Sequence, residues 1–146
     1  PSMIEDYPME GRVDRALGVL NEKWQPEYFS LIEKAASFPE VERIFLNPVI
    51  KKALCEYAPE APWQGKIRPW FGHDAHLHVR LRCPEGDLNC EPQAPVPPGS
   101  GCTADLDNWI RDQSDYTLKP KTRPQGGGVA PKIPSMPPLC HALLVD

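Results

Sequence analysis

In Lys66-Ile67-Arg68-Pro69-Trp70-Phe71-Gly72-His73-Asp74-Ala75-His76-Leu77-His78-Val79-Arg80-Leu81-Arg82, polar and apolar residues alternate strictly from His76 onward. Leu77, Val79 and Leu81 share one side and His76, His78, Arg80 and Arg82 the other, the period-two pattern of a strand with one face on a core. The fold expected around that strand is α+β: a small antiparallel sheet carrying the H-x-H pair, flanked by helices, with long disulfide-pinned, proline-rich loops. Upstream, Val41-Glu42-Arg43-Ile44-Phe45-Leu46 is a short β-branched and apolar run that reads as a second strand. Before it, from Gln25 to Phe38, Phe29, Ile32, Ala35 and Ala36 fall on one helical face, Pro26 suits the first helical position and Pro39 ends the helix. After it, Asn47-Pro48 supplies an N-cap followed by proline in the first turn, and a helix to about Tyr57 sets Ile50, Leu54 and Cys55 along one side. The lead-in Ala16-Leu17-Gly18-Val19-Leu20 fits a helical turn and an extended segment equally well.

The second half is punctuated differently: eleven of the nineteen prolines lie from Pro84 onward. Cys83 to Gly101 reads as a Pro/Gly-rich excursion, and Cys102 to Arg111 as a short helix capped by Thr103, with Leu106, Trp109 and Ile110 turned inward. The expected organisation is the carboxy-terminal part of one domain over 1–118, followed by a Pro/Gly-rich strap and docking tail over 119–146. Length agrees, since 146 residues hold one ordinary domain with a real core. A net charge of −4 gives no overall attraction for nucleic acid, and no apolar run approaches the roughly 20 residues of a transmembrane helix. The opening Pro-Ser-Met-Ile-Glu-Asp has no initiator methionine, basic leader or apolar signal core, so the chain is expected to be a piece of a longer protein.

Five cysteines point to an oxidising compartment, because Cys83 and Cys90 flank a short loop that can close into a disulfide ring. No two cysteines stand three positions apart, which argues against a cysteine-ligated zinc site. Cys55, on the inner side of its helix, can tie that helix to a later loop.

Three of the four histidines, His73, His76 and His78, fall within six positions. Imidazoles at such spacing can hold a metal while a neighbour moves a proton, and catalytic zinc sites use three protein ligands with one position open to water. The plain alternative is a set of histidines on a solvated strand face, since H-x-H alone is a short motif. A serine or cysteine hydrolase has little support, for there is no G-x-S-x-G turn. Trp63, Trp70 and Trp109 can line a ligand groove, although core packing is the commoner role of tryptophan.

The run from Ile67 to Pro84 resembles the signature of the penicillin-insensitive murein endopeptidases, periplasmic zinc peptidases that cut peptidoglycan cross-links. Supporting it are Glu40 to Pro48, Ile50-Lys51-Lys52 and Leu54-Cys55 upstream, and Pro97-Pro98-Gly99, Gly101-Cys102 and Leu139-Cys140 downstream. These enzymes are similar to lysostaphin-type and D-Ala-D-Ala carboxypeptidase zinc sites, where H-x(6)-D gives two ligands and a later H-x-H gives a base and the third. The resemblance implies zinc as cofactor, His78 as ligand, His76 as general base and His73 as a further active-site histidine. It implies cleavage of the D-alanyl to meso-diaminopimelyl bond, peptidoglycan as partner and the periplasm as location. It also implies that Cys55 pairs with Cys102, Cys83 with Cys90, and Cys140 with a cysteine near the amino terminus of the complete protein. No histidine precedes His73, so the H-x(6)-D motif is absent. With two of three ligands expected in a missing amino-terminal half, the isolated chain is expected to be inactive. The competing expectation is a non-catalytic cell-wall-binding module that keeps the fold without the metal site.

Overall fold

The computed structural model describes residues 10–120. The tail from residue 121 on, with Cys140 and its expected pairing, lies outside the described residues. The class is α+β. Val13–Asp14 (β1) and Val19–Leu20 (β2) form a small antiparallel hairpin, which resolves the open lead-in as a tight turn. The Asp14 carboxylate accepts from the backbone of Ala16 and Leu17, and Gly18 supplies the left-handed φ of 67° that closes the turn.

Glu27–Ser37 (α1) leads into Val41–Leu46 (β3), then Pro48–Tyr57 (α2). Asn47 caps α2 as expected, its side chain accepting from Val49 N–H at 3.0 Å. A 3-10 turn over Pro62–Lys66 then delivers the chain to Ile67–Pro69 (β4), and Lys66 Nζ donates to the Ala36 and Phe38 carbonyls at the end of α1. β4 is followed by a loop and His78–Leu81 (β5), and the last described helix is Asp105–Leu118 (α3).

β3 is the central strand, flanked by β4 and β5. The β3–β5 pair is antiparallel, but β4 runs parallel to β3, so the sheet is mixed and not wholly antiparallel. The reason is the α2 crossover, which returns the chain to the end of the sheet where β3 began. The core is built by Ile32 and Ala36 of α1, Val41, Ile44 and Leu46 of β3, Val49, Ile50 and Leu54 of α2, and Trp63 and Ile67. The expected burial of Val79 and Leu81 is not found: they are 44% and 60% exposed. Among the described residues α1 packs on β3 and α2 on β4, which leaves β5 at an edge with little cover from them; of the apolar residues alternating from Leu77 to Leu81, Leu77 is the one packed against the described core. α3 also departs from expectation. It runs to Leu118, not Arg111, and Ala104 stands at its N-cap without a side-chain bond, while Asp105 and Asp107 meet the positive helix end.

Two disulfides, Cys55–Cys102 and Cys83–Cys90, each with Cα atoms 5.6 Å apart, pin the excursion between β5 and α3. A third tie is polar. Lys51 is completely buried on α2, and its Nζ donates to the Gln64 carbonyl, Gln64 Oε1 and the Ser100 carbonyl at 2.7 to 2.9 Å. Burial, then the charge of Arg68, pushes the Lys51 pKa down to about 8. No described helix is long and apolar enough to cross a membrane.

Candidate metal and catalytic site

The loop between β4 and β5 carries His73 and His76, and His78 opens β5. His76 therefore stands just outside the strand that was expected to hold both members of the H-x-H pair. The imidazoles nevertheless converge, with ring centroids 4.5 to 5.2 Å apart. Irregular backbone achieves this: Gly72 and His73 are both left-handed, with φ of 71° and 49°. Histidine tolerates that region better than most residues, and the turn throws its ring toward His78.

Buried polar groups hold the loop in that shape. The Asn47 N–H donates to the His73 carbonyl at 3.0 Å, and Asn47 Nδ2 donates to the Gly72 carbonyl at 2.7 Å and to Gln113 Oε1 at 2.8 Å. One residue further along, Asp74 is buried and gripped by Arg15, whose Nε and Nη2 donate to its two carboxylate oxygens at 2.9 and 2.5 Å. The Arg12 N–H donates to the Asp74 carbonyl at 2.8 Å. Burial alone would raise the Asp74 pKa, but the hydrogen bonds and charge of Arg15 outweigh it and hold the carboxyl below its ordinary value. Asp74 thus faces Arg15 and anchors the loop. Asn47, Gln113, Arg15 and Asp74 were not singled out as site residues from sequence; only the Asn47-Pro48 signal was visible, and it announced a helix cap.

A hydrogen-bond argument fixes one tautomer. His73 Nδ1 lies 2.9 Å from the Phe71 carbonyl, which can only accept, so Nδ1 carries the proton and the neutral ring turns a lone pair outward at Nε2. That Nε2 is 3.2 Å from His78 Nδ1, close to the separation of about 3.3 Å between two imidazole ligands on a tetrahedral zinc. One ring nitrogen from each of the three histidines lies within 4.8 Å of the others. An all-imidazole donor set of this kind suits zinc and similar divalent metals, so the residues present fit such an ion. On one side of the rings is a depression of about 270 Å³ lined by Phe45, Trp70, His73 and His78. On the other is one of about 210 Å³ that includes Trp24, Tyr28, Leu31 and Leu77 beside His73 and His76. The tryptophans divide accordingly: Trp63 is core, Trp70 is 54% exposed at the site, and Trp109 packs on Phe71.

The model of the family described as penicillin-insensitive murein endopeptidase matches residues 6–145. Curated relatives bearing that name from Escherichia coli O139:H28 (strain E24377A / ETEC) and Shigella boydii serotype 18 (strain CDC 3083-94 / BS512) are 46% identical over 127 residues, or 86% of this chain. The alignment covers 43% of each relative's length.

Proposed function

The chain belongs to the penicillin-insensitive murein endopeptidase family, and from that membership we propose that it is part of a zinc-dependent endopeptidase cleaving D-alanyl to meso-diaminopimelyl cross-links of peptidoglycan in the periplasm. The observation that carries this reading is the convergence of His73, His76 and His78 on one point beside an open depression. His78 is the assigned ligand, and His73 Nε2 lies 3.2 Å from its Nδ1. Zinc held there supplies Lewis acidity, polarising the amide carbonyl and easing deprotonation of water. His76, on the same cluster, takes the proton as general base and returns it to the leaving amine. His73 orients the pair, since the Phe71 carbonyl fixes its ring. The remaining ligands, of the H-x(6)-D type, are assigned to sequence outside these 146 residues, and the isolated chain should bind zinc weakly and leave cross-links intact.

The test uses the full-length protein, with zinc stoichiometry and hydrolysis of dimeric muropeptides measured together. His78→Ala should lose both metal and activity. His76→Ala should keep most of its zinc while turnover falls roughly 10² to 10⁴-fold. Metal loss in His76→Ala with an active, metal-bound His78→Ala would reverse the roles. Muropeptide binding without cleavage by the zinc-loaded protein would favour a wall-binding module instead.

A further inference from the structure

Laterally paired residues of a sheet project from the same face, so the register sorts the side chains of β3, β4 and β5. Ile44, paired with Ile67 and Val79, belongs to the core face. Phe45 is paired with Arg68 on one side and His78 on the other, which places these three in a row on the opposite face. Arg43, two positions along β3 from Phe45 and paired with Arg80, adds a second row to that face. In a chain of net charge −4 the site therefore sits on a face dressed with three guanidinium groups.

Among the described residues, none of these arginines forms an ion pair with an acidic side chain. Arg43 donates Nη2 to the Ala94 carbonyl at 2.8 Å and leaves Nε–H buried without a partner. Arg68 is half-buried beside it. Burial, then the charge of Arg43, lowers the Arg68 pKa from its ordinary value, and among the described residues no acidic side chain pairs with either. Both line a groove of about 340 Å³ with Phe45, Trp70, Trp109 and Asp105, whose carboxylate is in salt-bridge contact with neither arginine. Phe45 and Trp70, packed edge to face at 5.6 Å, also line the depression at His73 and His78. The aromatic pair thus joins the imidazoles to the guanidinium groups along one surface.

Guanidinium forks match carboxylates in shape and charge, and an anion between two partly desolvated arginines relieves their repulsion. We propose that Arg43 and Arg68 form a carboxylate-binding subsite that seats the free carboxylate of the diaminopimelyl residue beside the bond being cut, with Phe45 and Trp70 supporting its aliphatic stem. The identity of the substrate rests on the function proposed above; the capture of a carboxylate rests on the sheet face itself. Arg43 and Arg68 are substrate-binding residues here, contacting the carboxylate and not the atoms of the bond being cut.

The decisive measurement is selectivity. Binding of the cleavage product, a monomeric muropeptide whose diaminopimelyl carboxylate is either free or amidated, is measured calorimetrically on zinc-loaded full-length protein, and kcat/KM is measured on the corresponding dimers. The free form should bind about 10 to 100-fold more tightly, the scale of charge-assisted hydrogen bonds. Arg68→Gln should reduce that preference to less than about threefold by weakening the free form alone. Arg68→Lys, which keeps charge but loses the fork, should fall between. Equal binding of both forms by the unaltered protein, or a preference that survives Arg68→Gln and Arg43→Gln, overturns the subsite. A carboxylate preference without hydrolysis of either dimer supports the subsite and overturns the hydrolytic reading.

Discussion

A methyl group added at Gly11 would stand 2.6 Å from Asp74 Oδ2, so the backbone there approaches the carboxylate more closely than any side chain would permit. Gly11→Ala should push Asp74 off Arg15 and disturb His73 and His76 on either side, although neither histidine is altered. Weakened zinc affinity of the full-length protein with an unchanged set of ligands is the expected result. The Asp74–Arg15 pair also gives a pH signature. Because the folded-state pKa of Asp74 lies below its unfolded value of about 3.9, the pair's contribution is present above that value and fades as pH falls through the lowered folded pKa. Arg15 is 44% exposed, so solvent screening limits the contribution to about 1 kcal/mol. Denaturant midpoints of the unaltered protein and Asp74→Asn should therefore differ at pH 7 and converge in acid; a gap independent of pH would assign the loss to packing.

At the scale of elements, Asn47 does two jobs from one position: it starts α2 and it suspends the histidine loop. Asn47→Ala should cost about 2 to 3 kcal/mol, combining a lost cap with buried carbonyls left unpaired. Asn47→Asp separates the two jobs, since it keeps the capping oxygen but loses the donor to Gly72 and Gln113. Its helix should survive while zinc affinity falls, as read by circular dichroism and metal titration. This residue also shows what sequence can convey. The cap was legible because its donor, Val49, is two residues away; the tether was not, because Gln113 is 66 residues distant and lies on a stretch of α3 whose polar residues Arg111 to Asp115 hide the helical period. α1, β3 and α2 stood out because a helical face, a β-branched run and prolines agree locally. β4 has only three residues, too few for a period, and its parallel pairing depends on the crossover. Val79 and Leu81 misled because alternation reports which residues share a face, not whether another layer covers it. The histidine cluster was visible as spacing, whereas the left-handed turn that closes it was not.

For the described residues as a whole, covalent ties replace some of the packing that the long loop between β5 and α3 lacks. In the chain-entropy model Cys55–Cys102, closing 47 positions, is worth about 4 kcal/mol, and Cys83–Cys90, closing 7, about 2.5 kcal/mol. Replacing each pair by alanine should lower the thermal midpoint in that order, and an inverted order would place the larger constraint in the short ring. Lys51 fastens the same region from inside, joining α2 to Ser100 next to the Cys102 anchor. The central strand, finally, pairs with two partners that both come later in the chain. A chain delivered amino terminus first presents β3 with two bare edges until Ile67–Pro69 and His78–Leu81 have followed, an interval in which strand-edge association with other chains competes. The thiols emerge in an equally awkward order: Cys55 meets Cys83 and Cys90 before Cys102 exists. Among the four cysteines of these two disulfides, oxidation in order of emergence would join Cys55 to Cys83, so the native pairs are reached either by waiting for Cys102 or by thiol–disulfide exchange in the compartment that receives the chain.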